Sequence, residues 1–153
     1  MPVVCVNKQN DRRKQEKSMT EANESADKKT IVIVEDDTDL LRMLTFSFKA
    51  EGYTVSGFAK GKDAEEFLNN EQNQKSICLI ILDRLLPDMD GIEILKEFTK
   101  KFNKSIPVMV LSALSSERDM LTGLKEGAVE YITKPFDLSI LSERAQILMS
   151  RFN

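Results

Sequence analysis

Four ionisable side chains and one hydroxyl stand where apolar runs of this 153-residue chain stop. Glu35 and Asp36 follow Ile31-Val-Ile-Val34, Asp83 follows the run 77–82, Ser112 follows 106–111, and Lys134 comes just after 129–132. If those runs are parallel strands, the groups share one sheet edge, the edge where open α/β sheets place their ligands. Three carboxylates crowded into a partly dry site repel one another, and a cation offsets the repulsion. Carboxylate oxygens with room for water suit Mg²⁺, which keeps an octahedral shell and completes it with phosphate oxygens. A carboxylate can itself accept a phosphoryl group to give an acyl phosphate. Such a transfer depends on positioning and charge neutralisation, which the Lys134 ammonium and the Ser112 hydroxyl are suited to supply. Singly, each residue has an ordinary explanation: a loop hydroxyl, a surface lysine, a helix N-terminal charge cluster at Glu35-Asp36-Asp37. Their joint placement at four strand ends points to one site.

The elements that must position them are legible from periodicity. Ile31-Val-Ile-Val34 is β-branched throughout, as suits a strand covered on both faces. Asp37 or Thr38 can cap the next helix, in which Leu40, Leu41, Leu44 and Phe48 recur at helical spacing before Gly52 closes it. Residues 53–57 read as a short second strand, and 61–70 as a second helix with Ala64, Phe67 and Leu68 inward. The run 77–82 is the third strand, and Pro87 and Gly91 punctuate the loop that follows Asp83. A helix over 91–102 carries Ile92, Leu95 and Phe98, and the fourth strand is 106–111. A helix over 115–126 is closed by Gly127, the fifth strand is 129–132, and a last amphipathic helix covers 138–149. Five strands alternating with five helices predict an α/β domain over residues 30–151: a doubly wound parallel sheet in three layers. Residues 1–29 are polar and charge-dense, with no sustained period after Val3-Val-Cys-Val6, and read as a disordered tail. That tail carries the basic cluster Arg12-Arg13-Lys14, and Met19 offers a second start.

Composition excludes several classes. With 41% hydrophobic and 31% charged residues the chain is ordinary for a globular domain. A net charge of −3 gives no electrostatic case for direct nucleic-acid binding or for an anionic membrane. No apolar run is long enough to span a bilayer, and Met1 to Val6 is too short for a signal peptide. There is no histidine, so no histidine triad, histidine base or phosphohistidine relay operates within the chain. Cys5 and Cys78, one in the tail and one in a buried strand, form neither an expected disulfide nor a zinc site. A reduced, cytoplasmic location is the expectation.

The segments Ile31-Val-Ile-Val-Glu-Asp-Asp37, Leu82-Asp-Arg-Leu-Leu-Pro-Asp-Met-Asp-Gly91, Pro107-Val-Met-Val-Leu-Ser-Ala113 and Gly127-Ala-Val-Glu-Tyr-Ile-Thr-Lys-Pro-Phe136 carry a resemblance. In order, spacing and strand context they resemble the receiver domain of two-component response regulators, over residues 30 to 150. The resemblance implies a flavodoxin-like sheet of strand order 2-1-3-4-5. It implies Asp83 as phosphoacceptor and Glu35 and Asp36 as the acidic pair, with Asp36 the more direct Mg²⁺ ligand and the Leu85 backbone carbonyl a third protein ligand. Ser112 would be the switch hydroxyl, Lys134 the phosphate partner, and Tyr131 the switch aromatic that follows inward; Lys134-Pro135 is commonly cis in the family. The implied donor is a sensor histidine kinase or phosphotransfer protein. The implied readout is an output protein or domain that meets the face of the fourth helix, fifth strand and fifth helix. Such a domain is not an enzyme toward other substrates; it catalyses only its own phosphorylation and dephosphorylation.

This chain departs from the family pattern in places. Ser112 stands where many relatives carry Thr, which keeps the hydroxyl. Ile140, Val129 and Lys125 occupy positions where acidic residues support symmetric dimerisation in the winged-helix class, so a monomer or a phosphorylation-dependent dimer is expected. Leu85 and Leu114 hold two positions that influence phosphoryl lifetime in the family, and both are apolar. Two alternatives stay open: a non-phosphorylated pseudo-receiver that only binds protein, and the receiver fragment of a longer DNA-binding regulator. A phosphatase of the haloacid dehalogenase type would need a second Asp where Leu85 stands.

Overall fold

The computed structural model describes residues 29–102 and 105–152, and the charged segment read as a tail falls outside them but for Lys29. Apolar, largely β-branched sequence gives β1 (Thr30–Val34), β3 (Ile77–Asp83) and β4 (Val108–Ser112), in which every residue is buried. β2 (Thr54–Phe58) and β5 (Glu130–Thr133) are the less buried edges. Among the described residues the five strands pair in parallel, in the order β2-β1-β3-β4-β5. The connecting helices are α1 (Thr38–Ala50), α2 (Gly61–Asn69), α3 (Glu71–Gln74), α4 (Gly91–Phe102), α5 (Glu117–Lys125) and α6 (Leu138–Phe152). The flavodoxin-like order expected from the sequence is the one observed.

Successive residues of a strand point to opposite faces, so the three-layer arrangement has two cores. Ile31 and Ile33 pack with Leu44 and Phe48 of α1 and with Leu141, Ala145 and Leu148 of α6. Val32 and Val34 pack on the other face with Ala64 and Leu68 of α2 and with Ile92, Leu95 and Phe98 of α4. Each of the larger of these side chains contributes roughly 1.5–3 kcal/mol by leaving water. The chain leaves β1 toward β2 and returns to β3 on the other side. That reversal makes the carboxyl ends of β1 and β3 the place where the sheet opens a crevice.

The structure differs from the sequence reading in details with physical causes. Among the described residues there are six helices rather than five: α3 is a single turn, too short to show a period, and starts where the Asn70 side chain accepts from the Gln72 N–H at 3.0 Å. β4 starts at Val108 because Pro107 has no N–H to donate to the ladder. Its carbonyl still accepts from the Ile80 N–H at 3.1 Å. Ser116 caps α5, accepting from the Asp119 N–H at 3.1 Å, so the helix starts two residues later than its apolar pattern suggests. α6 continues past Met149 to Phe152.

Candidate functional site

Glu35, at the end of β1, is 1% exposed, and Asp83, the last residue of β3, is 4% exposed. Carboxylates that deep need partners. Lys134, just past β5, supplies both, donating from Nζ to Glu35 Oε2 at 2.6 Å and to Asp83 Oδ2 at 2.8 Å. The backbone supplies the rest: the Asp37 N–H donates to Glu35 Oε1 at 3.1 Å, and the Leu85 N–H to Asp83 Oδ1 at 2.9 Å. The Lys134 main chain is itself fixed, its N–H donating to the Ser112 carbonyl at 2.9 Å.

Asp36 is exposed and lines an open cleft of about 500 Å³ with Arg84, Leu85, Asp88 and Asp90. Oxygens of Glu35, Asp36 and Asp83 lie within 4.8 Å of one another. One lysine among three carboxylates leaves the cluster short of positive charge. Burial pushes the Glu35 carboxyl up to about 7, against the bond from Lys134. Burial works to lower the Lys134 pKa as well, but its bonds to Asp83 and Glu35 outweigh that and hold the ammonium above its ordinary value.

The donor set fits Mg²⁺: hard oxygens only, no thiolate, and no histidine anywhere in the chain. Asp36 lines the open cleft, with Asp83 buried beside it. Leu85 joins Asp90 in an isolated antiparallel bridge that is closed from Gly91 N–H to the Arg84 carbonyl at 2.7 Å, not to the Leu85 carbonyl.

Ser112 lies one residue beyond the Asp83↔Leu111 pair of the β3–β4 ladder and is fully buried. Its Oγ accepts from the Leu114 N–H at 3.2 Å. Tyr131 is 6% exposed, and its hydroxyl donates to the Leu114 carbonyl at 2.8 Å. Both groups therefore hold the same residue of the β4–α5 loop. Gly123 makes room for the ring, since a Cβ there would sit 2.8 Å from Tyr131 Cδ2. Tyr131, the aromatic that the sequence reading assigns to the switch, is buried in this structure.

A family profile of the response regulator receiver domain matches residues 31–146. The chain belongs to the response regulator receiver domain family. The receiver domain of Francisella response regulator 1452 is similar at 31% identity, with a TM-score of 0.73 over 82% of this chain and 99% of that one. A CheY-like receiver protein from Methanospirillum hungatei is 28% identical, with a TM-score of 0.75 over 82% and 96%. The BeF3-activated N-terminal receiver domain of Klebsiella pneumoniae RstA is 26% identical, with a TM-score of 0.69 over 78% and 97%.

The structure of this receiver domain brings Glu35, Asp36, Asp83 and Lys134 into one cluster, places Leu85 against Asp83, and sets Ser112 and Tyr131 on the neighbouring loop. Sequence reasoning passed over three residues. Arg84 lies 3.4 Å from Asp90 and 3.4 Å from Asp119 of α5, so the residue after Asp83 is tied to a helix outside the site. Asp88 accepts from the Gly61 and Lys62 N–H groups at 2.8 and 2.9 Å, capping α2 from a distant loop. Those bonds hold its carboxyl below the ordinary value. Asp90 caps α4 through the Ile92 N–H at 2.9 Å. The cap of α4 had a signal, an Asp directly before Gly91 and an apolar helical pattern; the other two depend on tertiary contacts.

Proposed function

We propose that this receiver domain is a Mg²⁺-dependent phosphoacceptor switch with Asp83 as its acceptor. The observation that carries the reading is the Asp83 carboxylate, buried at a strand end with one oxygen held by Lys134 and the other by a backbone N–H, beside Glu35 and Asp36. A carboxylate oxygen of Asp83 forms the new P–O bond while the bond from phosphorus to the donor breaks. The leaving group takes the electron pair, and a departing histidine nitrogen becomes neutral imidazole on taking a proton from solvent. Water attacking phosphorus later releases inorganic phosphate and restores the carboxylate. The domain thus catalyses only its own phosphorylation and dephosphorylation. Asp36, Asp83 and the Leu85 carbonyl, with Glu35 alongside, would hold Mg²⁺, which would supply charge neutralisation for the phosphoryl oxygens. Lys134 is placed to keep one donor on Asp83 and share another with the phosphoryl group.

The Ser112 Oγ accepts from Leu114 in this state, and its own proton is available to a phosphoryl oxygen. Turning that hydroxyl toward the phosphoryl group draws on the loop that Tyr131 also holds, so phosphorylation locks an inward Tyr131 rather than carrying it in. The readout face is then α5, β5 and α6, where Leu121, Leu124, Val129, Ile140 and Ile147 are exposed. The donor is a histidine kinase or phosphotransfer protein, the setting cytoplasmic, and the reader an output protein or domain. Among the described residues no helix is long and apolar enough to cross a membrane.

Intact-mass analysis with acetyl phosphate tests the reading. A single phosphoryl adduct that requires Mg²⁺ and is lost in Asp83→Asn is expected. A folded protein that takes no adduct overturns it in favour of a pseudo-receiver.

A further inference from the structure

Away from the strand ends, α2 and α4 enclose a groove of about 440 Å³. Its floor is apolar, with Leu68, Ile94, Phe98 and Phe102, and Met89 enters it from the loop that follows Asp83. Its rim is acidic, with Glu65, Glu93 and Glu97. Glu93 pairs with Lys96 at 3.6 Å and Lys101 bonds to Asn69, whereas Glu65 and Glu97 have no ion pair among the described residues. Lys101 also lines the groove, but three carboxylates against one ammonium leave it net negative, and an apolar trough so edged selects a ligand that is apolar at one end and cationic at the other.

We infer that the groove receives the chain's own N-terminal segment, residues 3–17. That segment joins Val3-Val-Cys-Val6 to Lys8, Arg12, Arg13, Lys14 and Lys17, against only Asp11 and Glu16, so it is net positive in a chain of net charge −3. The place where it joins the fold is close to the groove. Thr30 Oγ1 lies 3.1 Å from Ser76 Oγ, and Ser76 is two residues past the α3 turn. That turn is strapped to the end of α2: Asn73 Nδ2 donates to the Phe67 carbonyl at 3.0 Å and Gln74 Nε2 to the Leu68 carbonyl at 2.6 Å. Leu68 and Asn69 line the groove. The fifteen residue-to-residue steps from Lys14 to Lys29 reach up to about 50 Å, so length does not limit docking.

Exposed ion pairs are individually weak, but the segment is tethered. A short flexible tether supplies an effective concentration in the millimolar range, so even a millimolar site is substantially filled. Docking also reaches Met89, which shares its loop with the Asp88 cap of α2, so an occupied groove stiffens the segment that follows Asp83.

The test is a charge swap in the full chain, followed by amide ¹H–¹⁵N resonances and independent of phosphorylation. Arg12→Glu with Arg13→Glu and Lys14→Glu is expected to move the amides of Leu68, Phe98 and Phe102. Adding Glu65→Lys and Glu97→Lys to that variant is expected to return them most of the way, while either set alone displaces the segment. At 1 M salt the wild-type resonances should move toward those of the tail variant, because the Debye length falls to about 3 Å. Groove amides that ignore the tail substitutions overturn the inference. So do changes confined to the α5–β5–α6 face, or a charge swap that restores nothing.

Discussion

The two loops that border the candidate site are built on opposite terms. The β3–α4 loop is tied down along its length: Leu85 to Asp83, Gly91 to Arg84, Arg84 to Asp90 and Asp119, and Asp88 to two N–H groups of α2. The β4–α5 loop is held at Leu114 by two bonds, one to a serine hydroxyl and one from a tyrosine hydroxyl. Hydroxyls rotate, whereas backbone straps and helix caps do not. The first loop is a fixed cradle for the acceptor. The second, on the proposed function, is the part that a new phosphoryl group would rearrange at little cost.

The largest break in that contrast should come from Gly91→Ala. A Cβ at Gly91 would lie 2.2 Å from the Asp83 carbonyl oxygen, backbone that has no room to yield. A loss of at least about 3 kcal/mol is expected in denaturant unfolding, together with loss of the acetyl phosphate adduct. Lys134→Met comes next. It removes one charge-stabilising donor, worth about 100-fold in the rate of adduct formation, measured by mass against time. Asp88→Ala should cost about 1 kcal/mol as a lost cap and lower the melting temperature by roughly 3–4 °C, with the adduct still formed. If instead the adduct vanished in a folded Asp88→Ala protein, the cradle would have to be read as part of the chemistry.

Ser112→Ala addresses the mobile loop alone. Adduct formation should persist, while phosphorylation-dependent amide shifts on α5, β5 and α6 should largely disappear; full shifts in this variant would move the switch elsewhere. The smallest effect is on pH dependence. Burial raises the Glu35 carboxyl from 4.5 to about 7, so its contribution to folding is fully present below pH 4.5 and is lost as the pH rises through 7. Without Mg²⁺ the melting temperature should therefore fall by a few degrees relative to Glu35→Gln between those limits. Stabilisation by added Mg²⁺ should grow over the same window, because the proton must leave before the cation is bound.

Much of this was legible in the chain because strand ends advertise themselves. An unbroken run such as Ile31-Val-Ile-Val34 followed by Glu35 and Asp36 fixes both the strand and the residues it delivers, and the parallel order then brings Asp83 and Lys134 to the same edge. Four residues of α3 carry no period to detect. The bond from Gly61 to Asp88 spans 27 positions, and nothing local in either sequence announces it. The space that Gly123 leaves for the Tyr131 ring likewise lies between elements, and neither stretch alone announces it. Contacts written within one element can be read from it; contacts between elements need the fold.

The alternation that gives the sheet two cores has a bearing on how mutations combine. Val32 and Ile33 are neighbours in sequence, yet they pack on opposite sides of the sheet with no shared partners. Val32 and Leu68 are far apart in sequence and belong to one cluster. Free-energy changes from adjacent strand positions should therefore approach simple addition, while substitutions that share a cluster should compensate or aggravate one another. The domain can drift in one half of its interior while the other half stays as it was.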